Sequence, residues 1–148
     1  RLVVADASRG RGAICLAVTP ALRELGIKSR CRLFEIPENI EYTAVLPRMK
    51  RYMEVSAEIY SVYLRYVSEE DIHVYSIDEA FLDLSGMGTS EYLTDYCKKM
   101  VKDITKGTGI PISLGIAPTK TLAKMASKFA KKHKSKRRQI QPRSFFSH

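Results

Sequence analysis

The sequence predicts an α+β fold, and three observations carry that prediction. Apolar runs rich in branched and aromatic side chains mark short strands at residues 2–5, 13–18, 73–77, 80–84 and 110–116. Apolar residues at helical spacing mark longer helices after Pro47, after Ser90 and after Pro118. The larger elements follow the order helix, strand, strand, helix, strand, helix. That is the order of a split βαβ sandwich, whose first strand precedes its first helix, so a further strand is expected ahead of Arg1.

Leu2-Val3-Val4-Ala5 and Ala13 to Val18 read as a β-hairpin joined by the basic, glycine-rich loop Ser8-Arg9-Gly10-Arg11-Gly12. Thr19-Pro20 supplies an N-cap and a proline at the first helical position, and Gly26 stops the short helix over Ala21 to Leu25. Residues 27–38 read as irregular. From Pro47, the residues Met49, Met53, Ser56, Tyr60, Tyr63, Leu64 and Val67 form the core stripe of a long helix. Its tyrosines are read as packing rather than as stacking platforms for bases. Ser90 is the expected N-cap of the next helix, with Leu93, Cys97, Met100, Val101 and Ile104 buried and Gly107 at its end. Residues 110–116 are expected to be a third strand of the sheet that holds the acidic hairpin. Pro118 and Thr119 open a last helix to about Lys132, apolar along Leu122, Met125, Ala126 and Phe129 and basic along Lys120, Lys124, Lys128 and Lys131.

With 148 residues and 45% hydrophobic content, the chain suffices for one domain with a real core, or one small domain with an appendage. The longest apolar run, Ala13 to Val18, falls well short of the roughly 20 residues of a membrane helix, so a cytoplasmic protein is expected. Cys15, Cys31 and Cys97 lack a Cys-x-x-Cys pair and read as buried thiols rather than a disulfide framework or zinc site. The net charge of +9 is unevenly spread. All sixteen acids lie at or before Asp103, and eight of the twenty-five bases lie from Lys128 onward. A basic end of this kind is either a phosphate-contacting surface or a solvated tail, and composition favours the tail.

The chemistry centres on Asp78 and Glu79, adjacent acids between two strand-like runs. An Asp-Glu pair is common at solvated turns. In an apolar strand, however, carboxylates need a cation to offset their desolvation, and a divalent metal is the strongest candidate. Neighbouring side chains of a straight strand point to opposite faces, so both reach one metal only where the backbone bends or bulges. The segment Gly115-Ile116-Ala117-Pro118-Thr119-Lys120-Thr121 lacks the glycine spacing of a Walker A loop. The helix start behind it still suits phosphate, of DNA or nucleotide, as well as it suits a solvated face. The histidines share no ligand spacing, and no Ser or Cys has a nucleophile context.

Two motifs together, Ser76-Ile77-Asp78-Glu79-Ala80-Phe81-Leu82-Asp83 and the stretch from Leu114 to Ser127, resemble the palm of the Y-family, UmuC-like translesion DNA polymerases. The resemblance extends through Leu46-Pro47-Arg48 and the long helix, and over Leu22 to Lys28 in the small fingers domain, covering residues 1 to about 133. It implies a ferredoxin-like polymerase palm with its first strand missing, residues 47–134, preceded by a fingers subdomain, residues 1–46, while residues 135–148 resemble nothing in the family and read as a disordered basic tail.

The resemblance further implies that Asp78 and Glu79 are catalytic carboxylates holding Mg2+ in a two-metal site. It makes Arg23 and Lys131 contacts of the incoming triphosphate. Lys120, Lys124 and Lys128 become the DNA-binding row. Primer-template DNA, a deoxynucleoside triphosphate and, in complete relatives, a sliding clamp are the implied partners, in DNA repair and the SOS response. Pro20 stands where many members carry a phosphate-contacting tyrosine. The family's first metal-binding aspartate and its sugar-discriminating aromatic belong to a segment that would precede Leu2, and its thumb and little finger would follow Lys134. A chain without that aspartate is expected to lose several kcal/mol of transition-state stabilisation, about thousandfold or more in rate. The alternatives are a non-catalytic basic nucleic-acid-binding module and a truncated gene remnant.

Overall fold

The computed structural model describes the backbone of residues 1–140 and the side chains of residues 1–131. The chain divides into two compact units, Arg1–Arg51 and Tyr52–His148.

In the first unit, strand β1 (Leu2–Val4) is central. It pairs antiparallel with β2 (Ala17–Val18) and parallel with β3 (Thr43–Val45). The expected hairpin is therefore present, with a shorter second strand, while the parallel β3 is an addition. Helix α1 (Pro20–Glu24) follows β2 with Pro20 in its first turn. Thr19 does not cap it through its side chain. Its Oγ1 instead accepts from Leu2 N at 3.2 Å, tying the helix start to β1, and Gly26 ends the turn at φ 88°. Val3, Cys15, Leu22, Ile27, Cys31, Leu33 and Ile36 fill the core, each less than a tenth exposed.

The second unit is built on α2 (Met49–Tyr63), the hairpin β4 (Ile72–Ser76) and β5 (Glu79–Leu82), α3 (Ser90–Thr108) and α4 (Lys120–Ile140). Val62, Tyr66, Met100 and Ile104 form its core, with Leu82, Ile112 and Leu114 packed against them. The stripe predicted on α2 is correct only toward its C-terminal end. Val62 is buried near the end of α2, but Met49 and Met53 are exposed, and the expected Leu64, exposed, and Val67, buried, lie beyond the helix. Helix α3 is capped by Thr89, whose hydroxyl accepts from Tyr92 N at 3.3 Å, and ends at Gly109, left-handed at φ 71°. Both ends differ from the expected Ser90 and Gly107. Thr89 holds the extended backbone that an N-cap needs, and Gly109 the positive φ that only glycine takes without strain.

Residues 110–116 form no ladder, contrary to the expected third strand. Among the described residues β4 and β5 pair only with each other, and Pro111 has no N–H to donate. The segment is held by side chains instead, with Ile112 and Leu114 on the core and Ser127 Oγ of α4 donating to Ser113 O at 3.1 Å. Helix α4 meets it through small residues. A β-carbon on Gly115 would run into the carbonyl of Ala123, the amide of Ser127 and the β-carbon of Ala126. Hence the covered stripe is Ala123, Ala126 and Ser127. The predicted apolar side is largely open: Leu122, Met125 and Phe129 are about half exposed or more. The helix also runs on to Ile140, beyond the expected end, so the first residues of the segment read as a tail continue it. Residues 141–148 lie outside the described residues.

Candidate active site

The site grows out of the register of one hairpin. Ile72 pairs with Leu82, His73 with Phe81 and Val74 with Ala80, and then the register shifts so that Ser76 faces Glu79. A bulge of this kind adds a residue to one strand and turns its side chains. Ile77 and Asp78 form the two-residue turn, and Glu79 opens β5. This is the bend that the adjacent carboxylates require. Ser76 Oγ donates to Asp78 Oδ1 at 2.8 Å and orients that carboxylate locally.

Their surroundings differ from the buried strand expected. Asp78 and Glu79 are exposed, as are Val74, Tyr75 and Ile77, at 55%, 58% and 44%. A two-stranded ribbon offers little cover, and only its far end, at Leu82, reaches the core. The carboxylates therefore stand in water beside one cation rather than in a dry cage.

That cation is Lys124. Its Nζ lies 2.9 Å from Glu79 Oε2, with both side chains close to half exposed, and 4.4 Å from the centre of the Tyr75 ring. The hydrogen bond to Glu79 comes first among the causes that raise the Lys124 ammonium above the ordinary lysine range. The charges of Glu79, Tyr75 and Asp78 add to it, so one ammonium senses both carboxylates. One turn earlier, Lys120 Nζ sits 5.9 Å from the Phe81 ring. Asp83, at the end of the hairpin, is held below the usual carboxylate range, first by the Ser85 hydroxyl and amide and further by Lys120. His73, Tyr75 and Phe81 thus face Lys120, Thr121, Lys124, Met125 and Lys128 across an open groove. Tyr75 meets Phe81 edge to face at 5.8 Å, a favourable aromatic geometry.

Of the predicted residues, the structure brings together Asp78, Glu79, Lys120, Lys124 and Lys128. Lys131 is exposed on α4, two turns beyond Lys124 and so on the same side of the helix. Arg23 is exposed in α1 of the first unit. Sequence reasoning missed Tyr75 and Phe81 as seats for the lysines. The alternation of His73, Tyr75 and Phe81 on one face was a usable signal. Ser76 was also missed, although the Ser-x-Asp spacing suits a local side-chain hydrogen bond.

Among the described residues no group of three or more His, Cys, Asp or Glu stands together. The chemistry of the donors still fits magnesium. Mg2+ takes hard oxygen ligands and is commonly held by one or two carboxylates, with phosphate oxygens and water completing the shell. Asp78 and Glu79 supply two such carboxylates in the open.

A mixed α/β fold with this hairpin and lysine helix defines a class, the Y-family DNA polymerases. The Dbh DNA polymerase in its insertion ternary complex shares the fold at a TM-score of 0.76 and 26% identity, over 86% of this chain and 38% of that one. The model described as the impB/mucB/samB family matches residues 1–128, and this chain belongs to that family. UvrX of Bacillus subtilis (strain 168), named for UV-damage repair, is 38% identical over 84% of this chain and 29% of its own length. DNA polymerase IV 2 of the same organism is 34% identical over 90% of this chain and 33% of its own. The chain spans about a third of the length of these relatives.

Proposed function

We propose that this chain supplies the fingers and the carboxylate-bearing part of the palm for a lesion-bypass DNA polymerase of the cytoplasm. One observation carries the reading. Two carboxylates, Asp78 in the turn and Glu79 at the start of β5, stand beside the lysine-bearing helix α4, whose Lys124 lies 2.9 Å from Glu79. Magnesium bound there would neutralise charge on phosphate and favour displacement at phosphorus. Asp78 and Glu79 are the residues that hold it. Lys131 and Arg23 contact the outer phosphates of a deoxynucleoside triphosphate. Lys120, Lys124 and Lys128 lie along primer-template DNA as point charges on its backbone. Residues 1–46 act as fingers and residues 47–134 as palm.

A second reading, a non-catalytic nucleic-acid-binding module, is favoured by the aromatic groove under Lys120 and Lys124, since rings and cations together suit single-stranded bases. Nucleotide binding separates the two. In the polymerase reading, Mg2+ strengthens binding of a fluorescent deoxynucleoside triphosphate to the chain, Asp78→Ala cancels that gain, and DNA binding is unchanged. Nucleotide binding indifferent to both Mg2+ and Asp78 would favour the binding module.

A further inference from the structure

Two of the three cysteines face each other inside the first unit. Ile14 and Arg32 form an isolated antiparallel bridge. On either side of it Cys15 N donates to Cys31 O at 2.8 Å, and Leu33 N to Ala13 O at 3.0 Å. This register sets Cys15 directly opposite Cys31. Opposed residues of an antiparallel pair project to the same face, with Cα atoms about 5.5 Å apart when a backbone hydrogen bond joins them. A disulfide spans roughly 4.4–6.8 Å between Cα atoms.

The side chains meet as the register requires. Cys15 is fully buried and Cys31 is 8% exposed, both in the cluster around Val3, Val18 and Leu22. Burial, and then the hydrogen bond to Cys31, pushes the Cys15 thiol up to about 11. The backbone before Cys31 is unusual. Arg30 is the one non-glycine residue at positive φ, 61°, among the described residues, and Cys31 N donates back to Lys28 O across that turn. Because the two segments meet at one isolated bridge and the backbone hydrogen bonds beside it, the roughly ångström-scale approach of the β-carbons that a disulfide needs disturbs no extended ladder.

We propose that Cys15 and Cys31 are an oxidisable pair that a small-molecule disulfide converts to an intramolecular disulfide, fixing the segment before α1 to the segment after Arg30. The Cys31 sulfur attacks one sulfur of the oxidant and gives up its proton, and the first small thiol leaves carrying a proton. The Cys15 thiol then gives its proton to the second small thiol as its sulfur displaces it from Cys31. Two cysteines lose two electrons and two protons, and one oxidant disulfide becomes two thiols. Cys97 belongs to the second unit, outside the cluster that holds Cys15 and Cys31, and serves as the internal control.

The test is incubation of the full 148-residue chain, under native conditions, with glutathione buffers of stepped oxidised-to-reduced ratio, followed by acid quench, alkylation, intact mass and peptide mapping. The expected product has lost two hydrogens, carries a Cys15–Cys31 cross-link and keeps Cys97 alkylatable. Cys15→Ser should leave glutathione as a mixed disulfide on Cys31. Should that variant fail to fold, Cys31→Ala with an unoxidised Cys15 gives the complementary result. The proposal is overturned if wild type gains only glutathione adducts, or if the cross-link forms only after denaturation.

Discussion

Lys124 Nζ and Glu79 Oε2 lie 2.9 Å apart, although the two residues are separated by 45 positions in the chain. The ion pair joins the catalytic hairpin of the proposed site to its phosphate-binding helix. Both partners are about half exposed, so solvent and salt screen the pair and hold it only loosely. That weakness bears on function, because a divalent ion reaching Glu79 displaces an ammonium held only loosely. Lys124→Met should therefore leave folding stability almost unchanged and tighten Mn2+ binding by roughly 2- to 5-fold, as read by titration calorimetry at low salt. Weaker metal binding in the variant would contradict this competition.

Gly115 is the point where α4 crosses the 110–116 segment. Gly115→Ala forces a β-carbon against the backbone of Ala123 and Ser127, which cannot swing aside as a side-chain tip would. A loss of about 1–3 kcal/mol is expected in denaturant unfolding. Gly107→Ala is the matched control. It lies within α3 with open space where the β-carbon would go, and should stabilise by about 0.5–1 kcal/mol. Equal effects at the two positions would count against the close helix crossing.

Tyr66 predicts a dependence on alkaline pH. Burial, then the hydrogen bond its hydroxyl donates to Asp103 Oδ2 at 2.5 Å, pushes the phenol up to about 12 from 10.0. The folded state thus favours the neutral phenol. Its contribution is complete below pH 10, the unfolded value, and is lost as pH rises toward about 12. Tyr66→Phe should lower stability at neutral pH and flatten the decline across that window, measured by thermal unfolding at stepped pH. An unchanged slope would show that other groups govern it.

Local pattern made much of this molecule legible. The β4–β5 hairpin, the Thr119 hydroxyl that accepts from Leu122 N just ahead of α4, and the buried line of Cys97, Met100 and Ile104 all follow from short-range spacing, which sequence displays directly. What failed depended on partners distant in the chain. On α4 the apolar stripe through Leu122, Met125 and Phe129 was the natural choice for burial. The surface offered to the helix is the bare backbone of Gly115, however, and only Ala123, Ala126 and Ser127 fit against it. Residues 110–116 have strand composition but form no ladder and are held by the core contacts of Ile112 and Leu114 and by the Ser127 hydrogen bond, so composition alone misassigned them. Strand β3 was unreadable for the opposite reason: three exposed residues become a strand only because β1 lies beside them. At the site, the bend between two acids was legible from their adjacency. Their cation was not, because nothing near Glu79 in sequence points to Lys124.

The central claim is that Asp78 and Glu79 together hold a divalent metal. Backbone-resolved NMR of the chain during Mn2+ titration tests it most directly. The account predicts paramagnetic broadening that begins at Asp78 and Glu79, reaches Ser76 and Lys124 next, and disappears in Asp78→Ala while the remaining spectrum shows the fold intact. Broadening spread evenly over surface carboxylates such as Glu69, Glu91 and Asp95, or a wild-type response that Asp78→Ala leaves unchanged, would contradict it.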